Sequence, residues 1–294
     1  MRAWLQTWFA WFVFQWMKGL ALCPSSFHKG LARILGFLRF RFKKKERHRI
    51  LFNIEKIFKL PLHTPFARQF AEQVLFHQIL CTLETAKTFF SPSLKENLLL
   101  GVPELRQNMA ELEKEPGGQL VITAHLGAWE LISAYGPSSA SRPFYALAKS
   151  IKSEILNRTV AKLRSQTQVK ILDSDSKQLA KFMHLSLRED NGWITFVMDQ
   201  KPKERRGPLV KFLGQETPFV AGAAALAHRY HCPVLAVFFI REGDLRYRVH
   251  SKILWQRGHN ADRQTLVASF ASEIERMVRL YPEQWCWEYK RWKF

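Results

Sequence analysis

A histidine and a glutamate five residues apart are the residues of this chain whose types and spacing could do chemistry. His125 follows a short apolar run, and Glu130 comes after a turn that contains Gly127. On one continuous helix, residues five apart point about 140° away from each other. The two side chains can therefore face each other only if His125 lies in the turn and Glu130 lies on the helix that follows.

A histidine beside a carboxylate is a common arrangement for moving a proton. A neutral imidazole accepts a proton near pH 7, and a carboxylate bonded to its second nitrogen fixes the tautomer and stabilises the imidazolium. Such a pair activates a substrate hydroxyl without a Ser or Cys nucleophile. The spacing alone is a weak signal, because a structural His at a strand end followed by a solvated Glu gives the same pattern. Both interpretations stay open at this point.

The elements that position His125 follow from the apolar pattern around it. Gly117 and Gly118 precede the run 120–122, which predicts a buried strand with His125 at its C-terminal end. Ligands bind at that edge of open α/β sheets. Further strands are predicted at 144–148, 169–172, 193–198 and 233–240, an edge strand at 245–254, and helices at 65–90, 103–115, 151–164, 177–188, 219–230 and 264–280. This alternation predicts an α/β fold with a mostly parallel central sheet flanked by helices, in a single domain over residues 24–294.

A polar, cationic loop follows the predicted strand 193–198. It begins with Asp199 and Gln200 and contains Arg205 and Arg206. Because the carboxyl ends of parallel strands meet at one edge of a sheet, we expect this loop beside His125. Its two arginines are suited to clamping a phosphate through charge-assisted bonds. The alternative interpretation is a mobile basic loop on the surface.

The charge balance indicates anionic partners. The chain has 45 Lys and Arg against 25 Asp and Glu, a net charge of +20, together with 10 Trp and 23 Phe. Such a balance favours nucleic acid, an anionic membrane surface or an acidic protein as partner, and aromatic residues beside cations are typical of membrane interfaces. The 4 cysteines show no C-x-x-C spacing, which argues against a zinc site or a disulfide framework and fits a reducing compartment. We find no nucleotide-binding or metallohydrolase motif, so we expect no metal and no cofactor.

The first 23 residues are predicted to associate with a membrane. Residues 3–17 are almost wholly apolar, but as a helix they span only about 22 Å against the ~30 Å hydrocarbon core. Extension to residue 22 makes a single span possible, and a buried core helix is the alternative. The basic aromatic segment 37–49 is expected to hold anionic headgroups on the cytoplasmic side, with a solvated helix face as the alternative. An anchor lying in the interface is favoured by four tryptophans: Trp4, Trp8, Trp11 and Trp16.

Four ordered blocks resemble a known family. His125-Leu-Gly-Ala-Trp-Glu130 is similar to the H-x4-D/E signature of the lysophospholipid acyltransferase superfamily, in the form typical of the bacterial lipid A biosynthesis (lauroyl/myristoyl) acyltransferases. The resemblance runs from about residue 47 to the end, and Ala128 stands where the family often has Asn. The other blocks are Asp199-Gln200 with Arg206-Gly207, Val210 and Phe212-Leu-Gly214; residues 222–227 with 233–239; and the closing Pro-Glu-Gln…Trp…Arg-Trp-Lys of 282–293.

The resemblance implies a glycerolipid acyltransferase-like fold and an O-acyltransferase. The enzyme would move a fatty acyl chain from an acyl carrier protein thioester, or from acyl-coenzyme A, to a hydroxyl of a lipid A precursor in the late, secondary acylation of lipopolysaccharide. His125 would be the general base and Glu130 would orient it. Arginines would contact phosphates, a sugar or the developing oxyanion, and Asp199 would hold an arginine or a sugar hydroxyl. The candidate substrate-binding residues are Arg164, Asp199, Gln200, Arg205, Arg206 and Gly207.

The same resemblance implies partners and a location. The partners are acyl carrier protein, an anionic phospholipid membrane and the lipid A precursor, without nucleic acid. The location is the bacterial inner membrane, with the active site facing the cytoplasm. Acyl transfer to another glycolipid or lysophospholipid, such as a phosphatidylinositol mannoside, is the alternative within enzymes. A non-catalytic basic protein that binds membrane or nucleic acid is the distant alternative.

Overall fold

The centre of the molecule is a seven-stranded sheet with helices on both faces. The computed structural model of the chain describes residues 14–61, 63–91, 98–149, 167–202, 207–257 and 262–292. The strands are β1 (Leu99–Leu100), β2 (Gln119–Thr123), β3 (Phe144–Ala148), β4 (Lys170–Asp173), β5 (Trp193–Val197), β6 (Leu209–Phe212), β7 (Gln215–Pro218), β8 (Val234–Gly243) and β9 (Arg246–Trp255). The α-helices that follow residues 14–22 are α1 (Ser25–Phe42), α2 (Lys44–Phe58), α3 (Pro65–Phe90), α4 (Val102–Glu113), α5 (Ile132–Ser139), α6 (Leu179–Arg188), α7 (Gly222–Tyr230) and α8 (Arg263–Leu280).

The large sheet is parallel at every strand pair except one. Its order is β1-β9-β8-β2-β5-β3-β4, and only β8 and β9 run antiparallel. β2 lies in the middle, between β8 and β5, and Thr123 pairs with Val197. The segments that leave β2 and β5 therefore emerge side by side. The predicted mostly parallel sheet flanked by helices is confirmed.

Both faces of β2 are covered, which explains why its sequence is apolar without alternation. Leu120 and Ile122 pack into the core under α7 and α8, and Val121 packs into the opposite core under α4 and α5. Every residue of β2 is buried. A strand enclosed on both sides is a rigid support for the residues at its end.

Two long helices, α1 and α3, pack against each other, and α3 reaches the end of β8 through the bond of Glu84 to Arg241. Thr64 caps the first turn of α3 by accepting a hydrogen bond from the Ala67 N–H at 3.2 Å. α1 packs closely on α3 at Gly36, where a Cβ atom would lie 3.4 Å from the backbone nitrogen of Phe76. The residues that α1 buries recur every fourth position: His28, Ala32, Gly36 and Phe40.

The structure differs from the sequence prediction at two places. β9 is not an edge strand, because the two-residue β1 pairs with it in parallel at Tyr247 and Arg248. A strand so short carries no periodic pattern. The segment 199–214, predicted as one basic loop, contains β6 and the turn at Leu213 and Gly214, both with positive φ, through which β6 pairs with β7 in an antiparallel hairpin. The predicted helix 151–164 lies outside the described residues.

The N-terminal prediction is tested only in part. Residues 14–22 are helical and Trp16 is 62% exposed. Trp4, Trp8 and Trp11 lie outside the described residues. Within the described ranges, no helix combines the length and the apolar character that a membrane crossing requires. The anchor over residues 1–23 and the single domain over 24–294 therefore stay predictions.

Candidate active site

The turn after β2 holds His125 at the C-terminal edge of the sheet. Three backbone hydrogen bonds fix this turn: Gly127 N–H to the Gln284 carbonyl at 3.0 Å, Ala128 N–H to the Phe239 carbonyl at 2.9 Å, and Cys286 N–H to the His125 carbonyl at 3.1 Å. The turn is thus clamped between β8 and the C-terminal segment. Because Ala128 is held through its backbone, the turn needs no capping side chain there.

Gly127 is required by the geometry of the turn. Its φ is +60°, and a Cβ atom there would meet the Phe239 carbonyl oxygen at 2.2 Å. Any other residue at this position would push the turn away from β8. The glycine therefore fixes the direction in which His125 leaves the strand.

Asp199 is the carboxylate bonded to the histidine ring. Its Oδ1 accepts from His125 Nδ1 at 2.8 Å and from the His125 backbone N–H at 3.1 Å. Its Oδ2 accepts from the indole Nε1 of Trp285 at 2.8 Å. The Asp199 side chain is only 3% exposed. A buried carboxylate that accepts these three hydrogen bonds selects the tautomer of His125 whose Nε2 is free to accept a proton.

The electrostatics of the pair agree with its geometry. Burial acts to lower the pKa of His125, but the charge and hydrogen bond of Asp199 outweigh burial, with smaller contributions from Glu130 and Glu288. The pKa of His125 is therefore raised above its ordinary value. Burial acts to raise the pKa of Asp199, but the charge of His125 and the hydrogen bonds from His125 and Trp285 lower that pKa overall, so Asp199 stays ionised.

Glu130 lies after the turn, as predicted, but it is not the residue that bonds Nδ1 of His125. It lies in a short 3-10 helix, Trp129–Leu131, that leads into α5, and it lines the same groove as His125. Its negative charge helps to raise the pKa of His125. The bond to Nδ1, which the spacing assigned to Glu130, belongs to Asp199. The reason is topological: β5 lies directly beside β2, so Asp199 reaches the ring from the neighbouring strand.

Two further groups border the imidazole. The Trp129 ring packs edge-on against the His125 ring, with centroids 4.9 Å apart. The side-chain nitrogen of Gln200 lies 3.5 Å from His125 Nε2. An amide at that distance is placed to donate to an oxygen atom that reacts beside Nε2.

A long groove opens in front of His125, with a volume of about 610 Å³. One wall is α3, whose residues from Gln78 to Phe89 border the groove over about 16 Å of helix axis. The opposite wall contains the His125 turn and residues of the C-terminal segment. The polar end is formed by Arg39, Gln78 and Glu288, and the apolar end by Met17, Ala86 and Phe89.

A buried ionic cluster supports the His125 turn from behind. Glu84, which is fully buried on α3, accepts two bonds from Arg241, at 2.9 and 3.0 Å, and one from the Tyr247 hydroxyl. The Gln284 side chain bonds both the N–H and the carbonyl of Arg241, at 3.0 and 2.9 Å. Since the Gln284 carbonyl holds Gly127, the cluster ties α3 and β8 to the turn.

The other predicted substrate-binding residues are only partly placed. Asp199 and Gln200 lie at the His125 ring, and Asp199 bonds His125 and Trp285 where a sugar hydroxyl or an arginine was expected. Gly207 packs against the Phe219 carbonyl, where a Cβ atom would come within 2.2 Å. The arginines at 164, 205 and 206 lie outside the described residues.

Sequence reasoning missed the role of Trp285. The closing block of the chain drew attention to this segment, but nothing in a linear pattern links an indole at 285 to a carboxylate at 199. No group of three or more His, Cys, Asp or Glu within the described ranges is arranged to hold a metal ion. The site is thus built from a histidine, a buried carboxylate and a groove with one strongly apolar end.

Comparison with known families gives one result for nearly the whole chain. The family model described as bacterial lipid A biosynthesis acyltransferase matches residues 2–294. The comparison with curated proteins gives no match.

Proposed function

Because the chain belongs to the bacterial lipid A biosynthesis acyltransferase family, we propose that it transfers a fatty acyl chain from an acyl carrier protein thioester to a hydroxyl of a lipid A precursor. Family membership makes the chain an O-acyltransferase of lipid A and lipopolysaccharide biosynthesis acting on a lipid A precursor. The thioester donor, the late, secondary acylation step, the residue roles and the location at the cytoplasmic face of the inner membrane belong to the proposal.

The observation that carries the proposal is the bonded pair of His125 and Asp199 at the wall of a groove with an apolar end. Nε2 of His125 takes the proton of the acceptor hydroxyl, and the hydroxyl oxygen attacks the thioester carbonyl carbon. Asp199 holds the ring through Nδ1 and stabilises the imidazolium that forms. When the C–S bond breaks, the imidazolium returns its proton to the leaving thiolate, so the protein ends the cycle unchanged.

The groove supplies the two other requirements of the reaction. The apolar end, at Met17, Ala86 and Phe89, suits the acyl chain, because burial of each CH₂ group stabilises the complex by ~0.8 kcal/mol. Gln200 is placed to donate to the oxyanion of the tetrahedral intermediate. Glu130 faces the groove as a negative charge beside the ring, and acts on the pKa of His125 rather than through Nδ1.

The charge of the chain supports the donor and the membrane location. A net charge of +20 favours an anionic donor such as an acidic carrier protein, and it also favours an anionic bilayer. Acyl-coenzyme A is the alternative donor, and another glycolipid or lysophospholipid is the alternative acceptor. The same groove and base would serve each of them.

The test is acyl transfer by the full chain in detergent. Acyl carrier protein thioesters and acyl-coenzyme A of several lengths are offered, with a lipid A precursor and a set of lysophospholipids as acceptors. We expect product on the lipid A precursor with the carrier-protein donor. We expect His125→Ala to lower the rate about 1,000-fold, as loss of a general base does. His228→Ala, which removes an exposed histidine of α7, is the matched control and keeps its activity.

Each other outcome has a definite meaning. Product formed only on lysophospholipids would move the acceptor to the alternative. Equal rates with both donors would remove the carrier protein from the proposal. Activity that survives in a folded His125→Ala protein would overturn the role of His125.

A further inference from the structure

The outer face of α1 carries an apolar surface that no part of the described chain covers. Its inner face packs on α3 through residues four apart. The large apolar side chains on the remaining face are exposed, and Ile34 and Phe42 are 60% and 68% accessible. At 3.6 residues per turn these side chains fall within about 160° of the helix circumference. The α1 apolar face consists of Phe27, Ile34, Leu35, Phe37, Leu38 and Phe42.

The charges that α1 itself carries all have one sign, although Lys29 is paired with Asp244 and Arg39 with Glu46 from neighbouring elements. The 18 residues of α1 include no Asp or Glu. Arg41 lies within the apolar face by its angular position. Three exposed lysines, at positions 43, 44 and 45, follow directly at the end of the helix. An amphipathic helix with cations beside a wide aromatic and aliphatic face is the pattern of a helix that lies in the plane of a membrane interface.

Charge also distinguishes between the two partners that could cover this face, a second copy of the chain and a lipid surface. A second copy of the chain, paired through α1, would bring two cationic helices and two lysine clusters together, which costs free energy. An anionic lipid surface is complementary, because each cation near it adds to the attraction. Contiguous exposed apolar surface of this kind marks an interaction site.

The groove borders the same helix. Arg39 of α1 lines its polar end, and Met17 of the helical segment before α1 lines its apolar end. That segment is tied to α3, because Lys87 Nζ donates to the Cys23 carbonyl at 2.7 Å and Phe14 packs edge-on against Phe90. A bilayer against the α1 apolar face would therefore lie beside the groove.

We infer that α1 is an interfacial membrane helix, distinct from the N-terminal anchor, which sets the groove at the level of an anionic bilayer so that an acceptor lipid enters it from the side. The inference rests on the proposed function only in that the acceptor is a membrane lipid. Two consequences follow: α1 contacts acyl chains of the bilayer, and α1 matters for acceptors held in a bilayer more than for acceptors dispersed in detergent.

The first test reads lipid contact in the unmodified full chain. The protein is bound to vesicles of phosphatidylglycerol and phosphatidylcholine that contain a lipid with a photoactivatable carbene precursor in its acyl chain. After irradiation, the labelled peptides are mapped by mass spectrometry. We expect α1 peptides to carry about fivefold more label than peptides with exposed apolar residues on other elements, as burial in the interface requires. Those internal controls are Phe182, Leu209 and Leu280. Label on α1 no higher than on these controls would overturn the inference.

The second test separates the surface from the chemistry. Ile34→Glu with Phe37→Glu removes two apolar contacts, each with a transfer free energy of ~1.5–3 kcal/mol, so we expect at least a tenfold lower rate with vesicle-embedded acceptor. In detergent the rate should match that of the unmodified protein. Phe182→Glu with Leu280→Glu is the control and changes neither rate. Equal loss in vesicles and detergent, or no loss in either, would contradict the inference.

The remaining outcomes separate this inference from the proposed function. If the unmodified protein transfers no acyl chain in detergent, the proposed function fails, while the labelling result still decides whether α1 lies in the bilayer. A lipid-free dimer that Ile34→Glu with Phe37→Glu converts to monomers, together with low α1 labelling, would assign the face to a second copy and overturn the inference.

Discussion

The two walls of the groove are built in opposite ways. The His125 wall, which contains His125, Gly127 and Gln284, is held by backbone and side-chain hydrogen bonds to buried partners. Much of the helical wall is apolar side chains of one helix, among them Ile79, Leu83 and Ala86. Proton transfer requires fixed distances and directions. Binding of an acyl chain requires apolar surface of the right shape, and tolerates small changes in it.

The helix α3 forms one wall of the groove with one face and supports the opposite wall with another. Glu84 points away from the groove and holds Arg241, while Ala86, two residues further along α3, lines the groove. Substitutions at these two positions should therefore have unlike effects. Glu84 should decide whether the His125 wall is held in place, and Ala86 should decide which acyl chains fit.

The largest expected effect is on stability, from Glu84→Gln. The substitution keeps the side-chain shape but leaves the Arg241 guanidinium, which is only 9% exposed, without its buried counter-charge. We expect the free energy of unfolding to fall by about 3 kcal/mol, measured by urea denaturation in detergent. Glu242→Gln is the control, because its partner Arg248 is 43% exposed, and should cost less than 1 kcal/mol. Similar losses in both variants would contradict the supporting role of the cluster.

The second effect is on rate, from Trp285→Phe. Phenylalanine keeps an aromatic ring in the core but removes the N–H that donates to Asp199 Oδ2. A lost bond to a charged group is worth ~1.5–3 kcal/mol, so kcat should fall about tenfold or more. The control is Trp193→Phe, which removes a buried indole donor to Glu113, outside the groove lining. If both variants lose activity equally, the effect reflects core packing and not the carboxylate.

The smallest expected effect is on chain preference, from Ala86→Phe. The larger ring narrows the apolar end of the groove, so the rate should fall by about fourfold for each methylene that no longer fits, from ~0.8 kcal/mol per buried CH₂. Thioesters of increasing length report this as a shift toward shorter chains. Ala268→Phe, at an exposed position of α8, is the control. An unchanged chain profile would remove this part of the groove from acyl binding.

Most of the fold follows from the sequence because its elements are long or strongly apolar. The predicted helix 65–90 coincides with α3, and the apolar runs before His125 and after Cys232 are the central strands β2 and β8. The two-residue β1 could not be predicted, since its pairing with β9 depends on tertiary contact and not on any pattern in Leu99 and Leu100. For the same reason β9 was wrongly predicted to be an edge strand.

The candidate site also has a part that the sequence predicts and a part that it does not. His125 could be placed at the end of a strand because the apolar run and Gly127 are adjacent to it in sequence. The bond of His125 to Asp199 could not be predicted, because the two residues are 74 positions apart in sequence. They meet because β5 pairs directly with β2. The linear spacing favoured Glu130 instead. Trp285 joins the site from the far end of the chain, through a contact that no local propensity encodes.

The most direct test of the account is the pH dependence of kcat/KM for the unmodified protein, Asp199→Asn and Glu130→Gln. The base is active when neutral, so the rate rises as pH passes the raised pKa of His125. Loss of the Asp199 charge lowers that pKa, so Asp199→Asn should shift the rise to lower pH and reduce the plateau about a hundredfold. Glu130→Gln should shift it less. A rise that stays in place in Asp199→Asn but moves in Glu130→Gln would contradict the account and return the orienting role to Glu130.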